Sequence, residues 1–283
     1  MPVSENPSNP GEGVYVLDWE RDADDPTVAK LPLHWNHEYR EELEPKRVRF
    51  ALKGQVADRV RRGKRAVRFE IRRADRNNRN VWRAELAAQP PESPPAERWY
   101  GFSIYLPKNW VNDSNGIIVT QWHQQDSEAA QFQGTPPLAI MTKVGKWCIN
   151  TRQSWDNTVS GEADVRPLHT AGSPDGSYAP DLGKWTDWVV YAKWSAGADG
   201  ELKIWKNGQP LLLDDRARGQ NKFDDGKSNY FKIGLYKWTW PETASQKPDR
   251  VMYHDEVRIA AGSADHYKDV SPFRSRRRIA PLR

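Results

Sequence analysis

The chain contains twelve short segments of strand-like sequence and almost no helical periodicity, and this pattern limits its fold more than any other feature. In one such segment Val67, Phe69 and Ile71 alternate with charged residues, which is the period of a half-buried strand. Many short strands without βαβ alternation predict an all-β fold: a jelly roll or sandwich of two antiparallel sheets with a concave groove suited to a polymer. Strands are predicted at residues 13–19, 47–52, 66–73, 81–87, 99–106, 116–122, 138–144, 146–151, 187–194, 200–206, 230–238 and 251–259.

The two ends of the chain differ in composition from the predicted sandwich. Residues 1–13 are rich in Pro, Gly, Asn and Ser and predict a flexible arm, and residues 14–262 hold the strands. Residues 263–283 form a basic tail, whose arginine-rich end at 274–278 and 283 is expected to be disordered and solvated. The best helix candidate is the short segment 38–44. The Gly-, Pro- and Asp-rich segment 160–181 is expected to be a loop, either a lid over the groove or a solvated connection.

The composition favours a carbohydrate or another polyanion as the ligand. The 283 residues include 14 Trp and 10 Tyr and carry a net charge of +5. Aromatic rings stack on sugars, and they also stack on single-stranded nucleic acid, which stays an alternative. No nucleic-acid motif accompanies the charge and the aromatics, so we expect an anionic polysaccharide as the partner of a monomeric protein.

The single cysteine and the N-terminus limit the cellular context. Cys148 excludes an intrachain disulfide and, within a predicted strand, is expected to be a buried apolar residue. The chain has no apolar run long enough to span a membrane. No apolar segment of the signal-peptide type follows Met1, so the protein is expected to be cytosolic, or secreted or periplasmic if a signal peptide was removed.

The predicted strand at residues 230–238 carries the first candidate site. Because alternate residues of a strand share a face, Lys232, Gly234, Tyr236 and Trp238 project to one side and the apolar residues between them to the other. The first face offers a cation, a gap without a side chain, a phenol and a large flat ring. Those features suit an anionic sugar, whereas a half-exposed strand with extended Lys and Tyr side chains is the structural alternative.

Two further strands place polar pairs on one face. Arg83 shares a face with Glu85, which would orient a guanidinium suited to bidentate binding of a carboxylate, unless the two form only a surface ion pair. Gln121 shares a face with His123. The Gln amide is able to hold a carboxyl group, and His is able to act as a base near neutral pH.

Together the three segments resemble jelly-roll polysaccharide lyases. The motifs are R-x-E-L at 83–86, Q-x-H at 121–123 and Y-F-K-x-G-x-Y at 230–236, and all three match the alginate-lyase signature. The surrounding frame, at 98–107 and 253–259, is similar to the heparin-lyase-I-like and glucuronan-lyase branch. The resemblance implies a concanavalin-like jelly roll that cleaves a 4-linked uronate polymer by β-elimination and forms unsaturated uronides.

The resemblance also assigns roles to residues. Tyr236 would transfer the proton, His123 would be its partner base or stabilise it, Gln121 and Arg83 would neutralise the uronate carboxylate, and Lys232 would bind substrate. Further substrate contacts are predicted at Trp238, Glu85 and Trp122.

The chemistry of elimination explains these residue types. Removing the C5 proton builds charge on the neighbouring carboxylate, which Arg83, Gln121 and Lys232 would disperse. The same cations are expected to lower the pKa of Tyr236 from its usual value of about 10. The resemblance implies that in glucuronate and mannuronate Tyr236 serves as base and then acid, whereas in guluronate and iduronate His123 would abstract the proton and Tyr236 would donate one.

The substrate and the cofactor are less constrained. The alginate-type motif continues with an Arg, but Ala87 stands here, which favours glucuronan, followed by alginate or a heparin-type polymer. The reaction is expected to require no cofactor. Asp255 or Glu256, with backbone carbonyls, would be able to hold a structural Ca²⁺, or Asp255 forms only local hydrogen bonds.

Two other carbohydrate functions fit a β-sandwich. A noncatalytic carbohydrate-binding module or lectin would share the fold and the aromatics but would not need the four predicted catalytic residues together. A glycoside hydrolase needs two facing carboxylates, and the adjacent Asp255 and Glu256 are expected to point to opposite faces. Ultraviolet absorbance of an unsaturated uronide separates a lyase from both alternatives.

Overall fold

The computed structural model describes residues 13–17, 19, 34–38, 47–75, 81–89, 96–125, 136–152, 163–167, 175–240 and 247–273. These residues form strands and a single α-helical turn, α1 (Tyr267–Val270), together with three short 3-10 turns. The strands are β1 (Gly13–Leu17), β2 (His34–Glu38), β3 (Val48–Leu52), β4 (Arg65–Arg72), β5 (Trp82–Gln89), β6 (Glu97–Tyr105), β7 (Ile117–Gln124), β8 (Leu138–Lys143), β9 (Lys146–Arg152), β10 (Ala163–Pro167), β11 (Trp185–Lys193), β12 (Glu201–Lys206), β13 (Gln209–Pro210), β14 (Asn229–Lys237) and β15 (Asp249–Ala261).

The strands form two antiparallel sheets. The eight-stranded sheet runs β13-β12-β11-β6-β15-β4-β3, and β1 also pairs with the second half of β15. The seven-stranded sheet runs β10-β9-β8-β7-β14-β5-β2. Both sheets join strands that are distant in sequence, β6 and β4 to β15 in one and β7 and β5 to β14 in the other, as in a jelly roll, so the predicted all-β sandwich is confirmed.

The core lies between the sheets and explains which face of each strand points outward. Phe231, Ile233 and Leu235 of β14 are fully buried in this core. Burying such a side chain is worth roughly 1.5–3 kcal/mol relative to leaving it exposed. The apolar face of β14 is therefore fixed inward, and the polar face of the same strand points away from the core.

All twelve predicted strands are present, with ends that differ by a few residues. Three strands were missed. The polar β2 includes Glu38, where the helix candidate began, while residues 39–44 lie outside the described part. The edge strand β10 lies inside the segment 160–181 that was predicted to be a loop, and β13 has only two residues.

The described C-terminal residues, up to 273, pack on the eight-stranded sheet. Val270 of α1 is fully buried, and a side chain at Gly101 would come within 1.8 Å of its carbonyl oxygen. The tail arginines from residue 274 onward and residues 1–12 of the predicted arm 1–13 lie outside the described residues. Among the described helices, none has the length and apolar character needed to cross a membrane.

Candidate active site

Three neighbouring strands of the seven-stranded sheet bring the predicted catalytic residues to one outer face. In the order β7-β14-β5, Lys232 pairs directly with Gln121 on one side, and Tyr236 pairs directly with Arg83 on the other. Directly paired residues of antiparallel strands have Cβ atoms about 5 Å apart and project to the same face. The sheet register therefore joins residues that are more than 100 positions apart in the chain.

Glu85 lies at the centre of this group and holds its neighbours in place. Its carboxylate is 3.2 Å from Arg83 Nε and accepts a hydrogen bond of 2.6 Å from Gln121 Nε2. The residue is only 1% exposed and its carboxylate is engaged by these two side chains, while the substrate contact at Glu85 stays a prediction. Since β14 lies between β5 and β7, the bond to Gln121 passes over β14 beside Gly234, the register partner of Glu85.

Gly234 is required by the backbone rather than by a sugar ring. Its φ is +125°, and a Cβ atom there would lie 2.3 Å from the carbonyl oxygen of Ala84 on the adjacent strand. The pairing of β14 with β7 also shifts register between Ile233 and Tyr236. A bulge of this kind bends the strand locally, and here it lies between the core residue Ile233 and Tyr236. The predicted gap for the sugar ring therefore coincides with a backbone bulge beside the phenol.

The phenol of Tyr236 is half-buried against Arg83. The guanidinium carbon lies 5.0 Å from the ring centre, and the two side chains share a hydrogen bond. Burial raises the pKa of Tyr236, and Glu85 adds to that rise, while Arg83 and Lys232 oppose it. The predicted lowering of this pKa is wrong because the cost of taking a phenolate out of water exceeds the attraction of the two cations.

His123 is half-buried and has a defined tautomer. Its Nδ1–H donates a 2.9 Å hydrogen bond to the carbonyl oxygen of Gln124, so Nε2 is the proton acceptor of the neutral ring. The ring centre of Tyr230 lies 5.6 Å from that of His123, and Lys232 Nζ lies 4.9 Å from the Tyr230 ring centre. Tyr230 was missed, although strand alternation places it on the same face as Lys232 and Tyr236.

The two predicted tryptophan contacts lie in opposite environments. Trp238 follows β14, is 40% exposed, and has its ring centre 6.3 Å from that of Tyr236, so it is able to stack on a ligand. Trp122 is fully buried in the core, where its ring packs on Tyr100 and Phe231. The prediction for Trp122 is wrong because its outward-facing neighbours in β7 require it to point inward.

An apolar patch borders the phenol on the β8 side. It consists of Ile118, Ala139, Met141 and Cys148, and Tyr236 packs against it. Cys148 is buried, and burial raises the pKa of its thiol to about 11, which agrees with the prediction of an apolar role. The patch lowers the local polarity around the phenol, in keeping with the raised pKa of Tyr236.

Asp255, the predicted calcium ligand, lies on the outer face of the other sheet. Its carboxylate accepts hydrogen bonds from the backbone N–H groups of Arg61, Arg62 and Glu256, and burial raises its pKa to about 7. Glu256 has a φ of +55° at a bulge and lies 3.5 Å from Arg62, so the two carboxylates approach the same loop and the predicted opposite orientation is wrong. The described residues contain no group of three or more His, Cys, Asp or Glu that could hold a metal, and the calcium site stays a prediction.

Comparison with known proteins places the chain in a family. A family model described as polysaccharide lyase matches residues 12–258. An endo-β-1,4-glucuronan lyase from the fungus Trichoderma reesei is similar at 18% sequence identity, with 85% of this chain and 95% of that chain covered and a TM-score of 0.64. The cellulose induced protein Cip1 is similar at 12% identity, with 88% and 98% covered and a TM-score of 0.52.

An alginate lyase from Pseudomonas aeruginosa is also similar, at 20% identity, with 70% of this chain and 83% of that chain covered and a TM-score of 0.47. No curated protein matches the chain. At these identities the structural likenesses show the fold, while the family model covers most of the sequence. The chain therefore belongs to the polysaccharide lyase family and is an enzyme of that class.

Proposed function

We propose that the enzyme cleaves a 4-linked uronate polymer by β-elimination and leaves an unsaturated uronide at the new chain end. The observation that carries this proposal is the placement of two cations, an amide, an imidazole and a phenol on one face of three adjacent strands, where the buried carboxylate of Glu85 fixes Arg83 and Gln121. Glycoside hydrolysis by a carboxylate pair is less well supported, since Glu85 is engaged by Arg83 and Gln121.

Arg83, Gln121 and Lys232 are proposed to bind the uronate carboxylate. Charge builds on that group as the C5 proton leaves, and preorganised donors stabilise it most when they need not move during the reaction. Glu85 supplies this preorganisation because it fixes both the guanidinium of Arg83 and the amide of Gln121. Lys232, which is 1% exposed, adds a positive charge from the same row of the sheet.

Tyr236 and His123 are proposed to move the protons. The raised pKa of Tyr236 keeps the phenol protonated at neutral pH, which suits protonation of the leaving O4. On His123, Nε2 is the ring nitrogen that is able to accept a proton. With glucuronate, the phenolate form of Tyr236 takes the C5 proton, and the phenol so formed gives that proton to the leaving O4, which regenerates the phenolate. With guluronate or iduronate, His123 abstracts the C5 proton and Tyr236 acts as the acid.

Glucuronan is the first candidate substrate. The solved structure with a TM-score of 0.64 is an endo-β-1,4-glucuronan lyase, and Ala87 replaces a basic residue of the alginate-type motif. A sulfated polymer would need more cations on this face. Lys237 is fully buried with Asp113 at 2.7 Å, and the basic residues of β4 belong to the other sheet.

Incubation with separate samples of glucuronan, alginate and heparin tests the proposal. We expect ultraviolet absorbance of an unsaturated uronide to rise with glucuronan, and the shortened chains to carry that group at one end. Release of reducing ends without this absorbance would identify a hydrolase and overturn the proposal. Binding of the polymer without any cleavage would identify a binding module instead.

A further inference from the structure

The strand β7 changes faces once, immediately before the pair Gln121 and His123. Ile118 belongs to the outer apolar patch and pairs with Tyr236 of β14. Thr120, two positions later, pairs with the core residue Ile233 instead, although residues two apart in a regular strand share a face. The pairing of β7 with β8 shifts register at the same place. β7 therefore contains a bulge, formed by residues 119 and 120.

The β7 bulge decides which residues the strand presents on the outer face. Val119 and Thr120 are both buried on the core side. After them, Gln121 lies on the outer face, where it donates to Glu85, and His123 shares that face. In a regular strand, the alternation that begins at Ile118 would turn both Gln121 and His123 into the core, because a slip of one residue exchanges the two faces.

His254 of β15, in the opposite sheet, contacts the β7 bulge from the core side. Its Nε2 lies 2.9 Å from the carbonyl oxygen of Val119 and 3.4 Å from Oγ1 of Thr120. A carbonyl oxygen only accepts hydrogen bonds, so Nε2 carries the proton of the ring. The hydroxyl of Thr120 donates to the same carbonyl oxygen at 2.8 Å. The Val119 carbonyl thus has two side-chain donors, one from each sheet.

The imidazole of His254 is an unusual choice for its position in the core. The residue is fully buried, its ring centre lies 5.8 Å from that of Phe69 and 5.9 Å from that of Phe102, and burial lowers its pKa to about 4. Its Nδ1 has no hydrogen-bond partner in the part of the chain that the structure describes. An apolar side chain would fill this space without an unpaired nitrogen, so the polar ring calls for an explanation. The bond to the Val119 carbonyl supplies one.

We infer that His254 is a positioning residue for the candidate active site: its Nε2–H fixes the β7 bulge and thereby holds Gln121 and His123 on the outer face in one orientation. The catalytic consequence rests on the proposed function, because it takes Gln121 and His123 to act on the substrate. His254 acts only through the backbone of β7, since its own ring lies between the two sheets.

Two substitutions of similar size separate the hydrogen bond of His254 from its packing. His254→Gln keeps an N–H donor that is able to reach the Val119 carbonyl, whereas His254→Met fills a similar volume without a donor. Both variants lose the ring contacts with Phe69 and Phe102, so this loss of packing is shared. Met252→Ala removes a fully buried core side chain from the same strand and serves as the control for a general loss of stability.

Kinetics with glucuronan measure the catalytic consequence, at a temperature where thermal melting shows each variant to be folded. We expect kcat of His254→Met to fall about 10²-fold, the effect of a displacement of about 1 Å in an active site. His254→Gln should recover about tenfold of this loss, and Met252→Ala should keep the wild-type kcat. Equal kcat values in the Gln and Met variants would assign the effect to packing and overturn the inference.

Nitrogen NMR of the imidazole rings gives a readout that does not depend on turnover. In the wild type we expect His254 to carry its proton on Nε2 and His123 to carry its proton on Nδ1. In His254→Met, His123 should lose this single tautomer because β7 is no longer fixed, and in His254→Gln it should keep it. A wild-type His123 signal in the Met variant overturns the inference even if kcat falls.

These outcomes are distinguishable from a failure of the proposed function. Should the wild type cleave no uronate polymer, the proposed function fails, and the NMR comparison still decides the positioning role. If His254→Met does not fold, Thr120→Val replaces it, because this change removes the other side-chain donor to the Val119 carbonyl and keeps the shape of the side chain. We then expect a fall in kcat of about tenfold and the same change at His123, and a wild-type His123 signal in Thr120→Val overturns the inference.

Discussion

The two outer faces of the sandwich carry similar side chains and use them differently. On the eight-stranded sheet, Asp255, Ser103 and Asp187 are register partners on three adjacent strands. Ser103 and the guanidinium of Arg61 both donate to Asp187, while the backbone of the Arg61 loop donates to Asp255. Both carboxylates are therefore engaged by fixed donors that tie a loop to the sheet.

On the outer face of the seven-stranded sheet a buried carboxylate holds side chains instead of a loop. Glu85 positions Arg83 and Gln121, and Lys232 and Tyr236 lie on the same face. The difference teaches that a carboxylate bound to a loop stabilises the fold, whereas a carboxylate that fixes a guanidinium and an amide arranges those side chains for an anionic ligand. Residue type alone does not separate the two faces, but the groups that each carboxylate holds do.

Replacing Tyr236 by Phe is expected to give the largest effect. It tests whether the chemistry takes place on the outer face of the seven-stranded sheet. Loss of the phenolic proton should lower kcat for unsaturated product by about 10³-fold, within the usual range for general acid–base catalysis. Polymer binding, measured by calorimetry, should stay near wild type because the carboxylate-binding residues are unchanged.

The matched control for this change is Tyr253→Phe. Tyr253 lies on the other sheet, where burial also raises its pKa and its hydroxyl donates to the carbonyl oxygen of Ala57. A raised tyrosine pKa is thus common to both faces, and only the face that also carries Arg83 and Gln121 should need the phenol. Equal loss of activity in the two variants would break the comparison.

Replacing Asp255 by Asn tests whether the outer face of the eight-stranded sheet has only a structural role. Burial raises the folded-state pKa of Asp255 from 3.8 to about 7, so the folded protein holds this proton more tightly than the unfolded chain. The resulting stability is fully present below about 3.8 and is lost as the pH rises through about 7. Asn does not titrate, so the wild type should lose stability relative to the variant across this window, by at most about 1.4 kcal/mol per pH unit.

Urea unfolding at several pH values measures this difference. The kcat of the folded variant at one pH should equal that of wild type, because Asp255 lies on the eight-stranded sheet and the candidate active site lies on the seven-stranded sheet. A pH dependence of stability identical in both proteins would show that the carboxylate stays charged in the fold, and a drop in kcat would give this face a part in catalysis.

The sequence predicted the faces of the site strands because strand alternation is a local rule. The outward set on β14 and the inward apolar set were both obtained from period two alone. The same rule would have placed Trp122 of β7 in the core and Tyr230 of β14 in the site. Both errors came from not applying the alternation to every residue of the two strands.

Other features depend on partner strands and could not be predicted from local sequence. The positive φ of Gly234 follows from its pairing with two strands that are distant in the chain. The net direction of the Tyr236 pKa depends on how deeply the whole fold buries the phenol. The polar β2 and the edge strand β10 carry too little apolar pattern to be distinguished from loops.

Two glycines with positive φ, Gly234 and Gly262, allow the backbone of the two sheets to be compared. Gly234→Ala combines a φ of +125° with a Cβ contact of 2.3 Å to the Ala84 carbonyl oxygen, so we expect a loss of roughly 3 kcal/mol in the free energy of unfolding. Gly262→Ala, after β15 on the other sheet, has a φ of +111° with open space around the new Cβ, so only conformational strain of roughly 1–2 kcal/mol applies. Chemical denaturation measures both, and a smaller loss at Gly234 than at Gly262 would show that the bulge adapts.

The smallest effect is expected for Glu85→Gln, which tests positioning rather than direct contact. The amide keeps an acceptor for Gln121 but removes the charge that holds Arg83, so kcat should fall about tenfold with little change in KM. The Glu85 charge also raises the pKa of Tyr236, and its removal lowers that pKa. If the phenolate is the base, the rising limb of the pH–rate profile should move to lower pH in the variant. A purely structural role of Glu85 would lower kcat without moving the pH–rate profile. Wild-type kinetics in the variant would show that Arg83 and Gln121 keep their positions without the Glu85 charge, and that this charge does not distinguish the outer face of the seven-stranded sheet from that of the other sheet.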